Sequence, residues 1–462
     1  MTTNPVSRRA FLAAATAAAS PAQARPQAPN ILLILADDLA AWMLGCYGNK
    51  VIRTPNIDQL ARGVTRFQNA FVCTPICSAS RATLFTGRTP RQHGIHDFLT
   101  PKPIDAPPQG QAAPPASFAQ EVMISDTLAQ SAGYRCGYVG KWHLGGDTKP
   151  GHNYEFTYTF DGGSSPYQNP VMYRNGEKRE EQGYLTEVTT RGALEYLDQQ
   201  SAAKPFFLTA SYFNPHTPYS GHPERYYGMY KDATFESFQY APAAPNALRE
   251  KNLLADTVGN LRKCAASVTA LDDQIPALLK KLSEKGLREN TLVVFTGDNG
   301  FLLGRHGLWS KGLASDPINM YEEVMGVPMI WNWPGKAPVE AVRPELVSFY
   351  DMVPTLCEAA GTPAPAGRNL CGRSFLPLVQ GKTPGKKDAP WPTTVFGHFR
   401  NTEMARDLRY KLVLRNGGAG PNELFDLRTD PRELINQFAN AQFASVRERL
   451  TAELGAWRRR SS

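Results

Sequence analysis

The chain has 462 residues, 42% of them hydrophobic and 20% charged, which is enough to bury a large core and too apolar for a disordered chain. The formal charge is +8, and without a leader carrying Arg8 and Arg9 it falls to +6, from 48 basic and 42 acidic residues. No run of five like charges occurs. The balance therefore favours anionic small ligands weakly and speaks against nucleic-acid binding, which calls for a concentrated basic stripe.

At the N-terminus, Ser7-Arg8-Arg9-Ala10-Phe11-Leu12 leads into alanine-rich residues 13–19 and then Ala22-Gln23-Ala24. A paired arginine, a short apolar stretch and a small-x-small cleavage pattern, in that order, read as a twin-arginine signal peptide over 1–24. The apolar stretch is too short to span a bilayer, and no later segment is suited to stable membrane insertion. The expected location is therefore periplasmic or secreted, with the twin-arginine export machinery as a partner.

Residues 31–36 form a continuous apolar run, the mark of a strand covered on both faces, and similar runs occur at 136–139, 206–210, 292–296 and 327–331. Amphipathic segments at 185–197 and 261–282 alternate with them. This alternation predicts an α/β fold, with a large, mostly parallel sheet sandwiched by helices over 28–380. Residues 106–116, 147–183 and 221–245 read as surface excursions. Beyond a Lys- and Pro-rich linker, strand candidates at 394–398, 410–414 and 423–427 and a helix at 444–459 predict a C-terminal α+β subdomain over 381–462, a small antiparallel sheet plus helix.

Polar residues gather where the apolar runs end. Asp37 and Asp38 follow the first run, and Asp298 and Asn299 follow the run at 292–296 after one glycine. In open α/β sheets the ligand crevice lies outside the carboxyl ends of the strands, so both pairs can converge on one site. Three carboxylates and an amide suit a hard cation, Ca²⁺ or Mg²⁺, better than zinc. Taken singly, each pair also suits a strand-end turn or a helix cap. Cysteines stand at 46, 73, 77, 136, 264, 357 and 371, without zinc-type spacing. A twin-arginine substrate folds before export, so these are expected to be mostly free, buried thiols, with Cys73 a packing residue.

The stretch Cys77-Ser78-Ala79-Ser80-Arg81, continued to Thr86-Gly87-Arg88, resembles the signature by which type I sulfatases, of the alkaline phosphatase superfamily, mark a cysteine for oxidation to formylglycine. Alanine at position 79 replaces the proline of many members, which leaves open whether a formylglycine-generating or a radical sulfatase-maturing enzyme acts on it. Pro29 to Asp38 and Phe295 to Gly300 resemble the family's metal-binding segments. So do Gly140-Lys141-Trp142-His143, Asn214-Pro215-His216 and His306 to Lys311 their counterparts in the family.

The resemblance implies an alkaline phosphatase-like fold and a sulfuric ester hydrolase. Its metal ligands would be Asp37, Asp38, Asp298, Asn299 and the modified Cys77, and its metal calcium, with Mg²⁺ the weaker candidate. It further implies that a hydrated aldehyde at residue 77 attacks sulfur and that its second hydroxyl expels sulfate. Lys141, Lys311 and Arg81 would offset charge, His143 would assist at residue 77, and His216 would protonate the leaving alcohol. His306 would be a substrate contact. Asp272 and Asp273 read as exposed helix residues. The expected substrate is a sulfated small molecule or glycan, aryl sulfates being a model activity. A phosphodiesterase or phosphonate monoester hydrolase, and a non-catalytic binder of sulfated glycans, are the alternatives.

Overall fold

The computed structural model describes residues 1–2, 28–62, 64–99, 120–338, 340–382 and 390–461. Residues 3–24 of the leader, the Pro-rich stretch 106–116 and part of the 381–392 linker lie outside them. Ten strands form one sheet: β1 (Asn30–Asp37), β2 (Thr65–Phe71), β3 (Arg135–Lys141), β4 (Tyr154–Phe160), β5 (Val171–Arg174), β6 (Glu177–Glu180), β7 (Phe206–Pro215), β8 (Thr291–Gly297), β9 (Met329–Asn332) and β10 (Ala341–Ser348). Their order is β10-β2-β9-β8-β1-β7-β3-β4-β5-β6. The central run β8-β1-β7-β3-β4 is parallel throughout, while β9, β5 and β6 join antiparallel.

Because side chains alternate across a strand, β1 feeds both faces at once. Ile31, Leu33 and Leu35 enter one core with the helix Cys77–Thr86. Leu32, Ile34 and Ala36 enter the other, against the helices Leu185–Asp198, Thr257–Asp272 and Ile275–Glu284. Every residue of β1, β7 and β8 is buried, which is why these strands read as unbroken apolar runs. The helix expected over 261–282 is two helices, since Pro276 begins the second and cannot continue the hydrogen-bond ladder of the first.

The expected surface excursion at 147–183 instead supplies β4, β5 and β6. Phe156, Tyr158 and Phe160 are buried on one face of β4, and β4 lies parallel to β3. The C-terminal sheet has four strands, β11 (Thr394–Phe399), β12 (Thr402–Asp407), β13 (Tyr410–Arg415) and β14 (Glu423–Asp426), all antiparallel. It packs on the helix Ala444–Arg460 through Phe396, Leu412, Leu424, Leu450, Leu454 and Trp457. Among the described residues no helix is long and apolar enough to cross a membrane, and all seven cysteines are free.

Candidate active site

The carboxyl ends of β8, β1, β7 and β3 lie side by side, and each delivers a polar group to the same place. Cys77 is the first residue of a helix whose ten residues are all buried, so its small side chains let it run beneath the strand ends. The helix stops at Gly87, which has φ +69° and donates its N–H to the Thr83 carbonyl at 2.9 Å. A Cβ at Gly87 would also lie 3.1 Å from that of Val353. Glycine in the Thr-Gly-Arg stretch is thus a helix terminator, and Arg88 then clamps Glu121 with two bonds, 2.6 and 2.7 Å.

Around the Cys77 sulfur stand Asp37 Oδ1 at 3.6 Å, Lys141 Nζ at 3.6 Å and Lys311 Nζ at 2.8 Å. Lys141 also donates to Asp37 Oδ2 at 2.6 Å. Lys311 pairs with Asp38 Oδ1, which accepts from Asn299 Nδ2 at 2.7 Å as well. Asp298 accepts from Arg81 Nε at 2.9 Å and from the Asp38 backbone N–H at 3.1 Å. Arg81 is wholly buried, and one of its terminal nitrogens donates to the Lys141 carbonyl at 2.6 Å and to Ser211 Oγ at 2.8 Å. Asp38 and His143 hold φ of 64° and 58°, conformations uncommon outside glycine that recur at functional sites.

The two imidazoles are oriented by backbone carbonyls. His143 Nε2–H donates to the Leu99 carbonyl at 2.9 Å, leaving Nδ1 as the free nitrogen, buried and without a partner. Its ring packs so closely on Gly163 that a Cβ there would lie 2.4 Å from it. Burial, then Lys141 and Arg81, hold His143 well below the usual imidazole range, so it is neutral. His216 has the opposite arrangement, donating Nδ1–H to the Thr217 carbonyl at 2.6 Å and facing Asp38 Oδ2 with Nε2 at 3.7 Å. Burial works against its charge, but Asp37 and Asp38 outweigh it and raise its pKa.

Burial likewise opposes the charge of Lys311, yet Asp38, Cys77 and Asp37 raise its pKa well above the usual value. For Cys77, burial raises the pKa while Lys141 and Lys311 outweigh it and bring the thiol down to about 6. The site is therefore built to hold an anionic oxygen or sulfur at residue 77.

Oxygen atoms of Asp37, Asp38 and Asp298 lie within 4.8 Å of one another, and so do ligand atoms of Asp37, Cys77 and His216. Asn299 Oδ1 is buried with no partner, and a half-turn of the amide would direct it to the same centre. Three buried carboxylates and an orphaned amide oxygen fit a hard divalent cation.

Of the eleven residues singled out from the sequence, ten converge here. His306 does not join them. It stacks on Tyr321 at 3.8 Å between ring centres and sits 3.3 Å from Glu323 Oε2, in a pair that Arg305 extends. Sequence reasoning missed the Leu99 carbonyl, Gly163, Ser211 and Tyr138, whose hydroxyl donates to the Lys141 carbonyl at 2.6 Å; these roles follow only from contacts within the fold. It also misplaced Asp272, which is fully buried and accepts from the backbone N–H groups of Asn56 and Ile57.

A mixed sheet carrying its polar cluster at a parallel centre, with a small antiparallel sheet alongside, is the alkaline phosphatase-like arrangement of anionic-ester hydrolases. The chain belongs to the sulfatase family, whose profile matches residues 29–362, and family members are sulfuric ester hydrolases. A second profile, N-sulphoglucosamine sulphohydrolase C-terminal, matches 304–460. The sequence is 24% identical to the N-acetylglucosamine-6-O-sulfatase of Bacteroides thetaiotaomicron, over 97% of this chain and 90% of that one. A structure solved in complex with D-glucosamine-2-N,6-O-disulfate superposes with a TM-score of 0.76 at 22% identity, covering 94% of this chain and 98% of the other. The phosphonate monoester hydrolase of Agrobacterium radiobacter gives 0.70 at 22%, covering 94% and 96%. The last two are likenesses of fold.

Proposed function

We propose that this protein hydrolyses the sulfate ester of a sulfated carbohydrate, using residue 77 in its formylglycine form and one calcium ion held by Asp37, Asp38, Asp298, Asn299 and residue 77. The observation that carries the reading is the placement of Lys141 and Lys311 at 3.6 and 2.8 Å from the Cys77 sulfur, beside a cluster of three carboxylates. When present, the cation and the hydrated aldehyde supply charge neutralisation and two hydroxyls on one carbon.

The remaining work falls to the chain itself. Lys141 and Lys311 bind the sulfate oxygens, offsetting the negative charge that repels a nucleophile. Arg81, fixed through Asp298 and the Lys141 carbonyl, holds the start of the helix and the strand end in register. His143 accepts a proton at Nδ1 from the hydroxyl at residue 77, its other nitrogen being committed to Leu99. His216 delivers a proton from Nε2 to the departing alcohol, its Nδ1–H being committed to Thr217.

The twin-arginine leader at 1–24, the periplasmic or secreted location, a maturing enzyme acting on Cys77 and a division into units at 28–380 and 381–462 belong to the same reading. They rest on the Ser7 to Leu12 motif, on the Cys77 to Arg88 motif and on the change of composition after residue 380.

Sulfate release from a panel of sulfated monosaccharides, 4-nitrophenyl sulfate and a phosphonate monoester tests the reading, with protein co-expressed with a maturase. The expected result is turnover of at least one sulfated sugar well above the phosphonate. Turnover of the phosphonate alone would make the protein a phosphonate hydrolase. No turnover despite confirmed modification would make it a binder of sulfated glycans.

A further inference from the structure

A cleft of about 900 Å³ opens next to the strand-end cluster, lined by Thr217, Tyr219, Tyr227, Lys231, Glu250 and Lys263 among others, and not by Cys77. Two segments join it to the site. Thr217, whose carbonyl holds His216, forms part of its wall. Tyr219 accepts from the indole N–H of Trp309 at 3.3 Å, and Trp309 lies two residues before Lys311. The cleft therefore backs onto the expected proton donor through Thr217 and, through Tyr219, meets the segment that leads to Lys311.

Three of its polar groups, Glu250 Oε2 and the ammonium groups of Lys231 and Lys263, are not spent on bonds to described residues. Glu250 accepts from Thr217 Oγ1 at 3.1 Å through one oxygen, while Oε2 is buried with no partner. A buried carboxylate oxygen without a donor is costly, so a ligand hydroxyl is well suited to it. Lys231 and Lys263 are exposed at the rim, and neither forms an ion pair with a described residue. Arg262, also in the wall, is aimed by a bond from Nε to the Ala233 carbonyl at 3.0 Å. Tyrosine rings, a hydroxyl acceptor and three cations against two acids, Glu224 and Glu250, differ from the aliphatic lining that an apolar peptide would need. Together they suit a polyhydroxylated, anionic chain.

We infer that this cleft receives the leaving-group side of an anionic oligosaccharide. A hydroxyl of the sugar unit beyond the one that carries the scissile ester donates to Glu250, and a second anionic group on the chain, sulfate or carboxylate, sits between Lys231 and Lys263. The inference rests on the sulfatase reading and adds to it that the enzyme reads more than one sugar unit.

The test compares kcat/KM for a sulfated monosaccharide with that for a heparin tetrasaccharide, in the wild type, in Lys231→Ala/Lys263→Ala and in Glu250→Ala. A Lys178→Ala/Lys280→Ala double variant removes equal charge elsewhere, where each lysine already pairs with a glutamate. The expected result is a roughly tenfold or larger fall in the tetrasaccharide-to-monosaccharide ratio, carried by KM, for both cleft variants and not for the control. N-desulfated and carboxyl-reduced tetrasaccharides then identify the anion, as the one whose removal abolishes the effect. An unchanged ratio in the cleft variants, with turnover intact, overturns the inference and leaves the sulfatase reading standing. If modified protein turns over neither sugar, the sulfatase reading fails by itself. Calorimetric binding of the same tetrasaccharide to Cys77→Ala protein, weakened or unaffected by the cleft substitutions, then decides for or against the cleft.

Discussion

Five of the seven buried aspartates among the described residues fall into two groups that differ in their partners. Asp272, the last residue of its own helix, meets the start of the helix Pro55–Arg62, and Asp351 precedes the helix Met352–Ala359; both are occupied by peptide N–H groups. Asp272 accepts from Asn56 at 3.1 Å and Ile57 at 2.7 Å, and Asp351 accepts from Ser348 and Arg373 at 2.9 Å each. Asp37, Asp38 and Asp298 sit at strand ends and are met chiefly by side-chain cations, Lys141, Lys311 and Arg81. Burial is nearly equal in the two groups. Among these five, the strand-end carboxylates differ from the structural ones in the kind of donor: a peptide N–H is fixed, whereas an ammonium group can be re-pointed at a ligand.

The sharpest way to test this division is to remove the group that the strand-end acids surround. Cys77→Ala is expected to lower sulfate release by about 10⁴-fold or more, with the thermal midpoint within about 2 °C of wild type. Next comes a paired comparison. Asp298→Ala strands the buried Arg81 and removes an expected metal ligand, so activity should fall by about 10³-fold and stability by about 3–5 kcal/mol. Asp272→Ala leaves peptide donors unpaired, costing about 2–4 kcal/mol by urea unfolding, while the folded fraction keeps activity within about twofold. Equal activity losses in the two variants would erase the distinction.

Chelation should separate the groups again. Removing divalent ions is expected to abolish turnover, with calcium restoring it better than magnesium. It should also lower the midpoint of wild type and Asp272→Ala by the same few degrees and leave that of Asp298→Ala unmoved.

The smallest effect is on pH. Burial raises Asp272 to about 6 and Asp351 to about 7, so the folded protein holds more protons than the unfolded chain between the ordinary carboxylate range and neutrality. These two acids should make stability fall as pH rises from about 4 to about 7, then level off. Unfolding curves in which Asp351→Asn keeps the full wild-type slope would contradict the assignment.

Much of this was legible in the sequence because chemistry and strand ends coincide along the chain. Asp37, Lys141, His216 and Asp298 each stand at or just past the end of a strand, so the motif and its position arrive together. Other features depend on partners distant in sequence. β12 was hidden because Glu403 and Arg406 look like surface charges, yet Glu403 is buried against Arg91 and Arg458 and Arg406 against Glu322. β4 was hidden in a polar stretch because its Phe and Tyr residues alternate with Glu155, Thr157 and Thr159. Asp272 resembled a solvated helix acid, since the helix start it serves is 215 residues away. His306 lies in a motif with Lys311, but its ring turns to Glu323, a contact that spacing cannot reveal.

The central claim is that residue 77 works as a formylglycine and not as a thiol. Peptide mass spectrometry across residues 77–88, on protein whose specific activity is measured from the same preparation, addresses it directly. Across preparations matured to different extents, the fraction showing the thiol-to-aldehyde mass loss should rise in proportion to specific activity and reach zero activity at zero conversion. Full activity with an intact thiol at Cys77 would contradict the account.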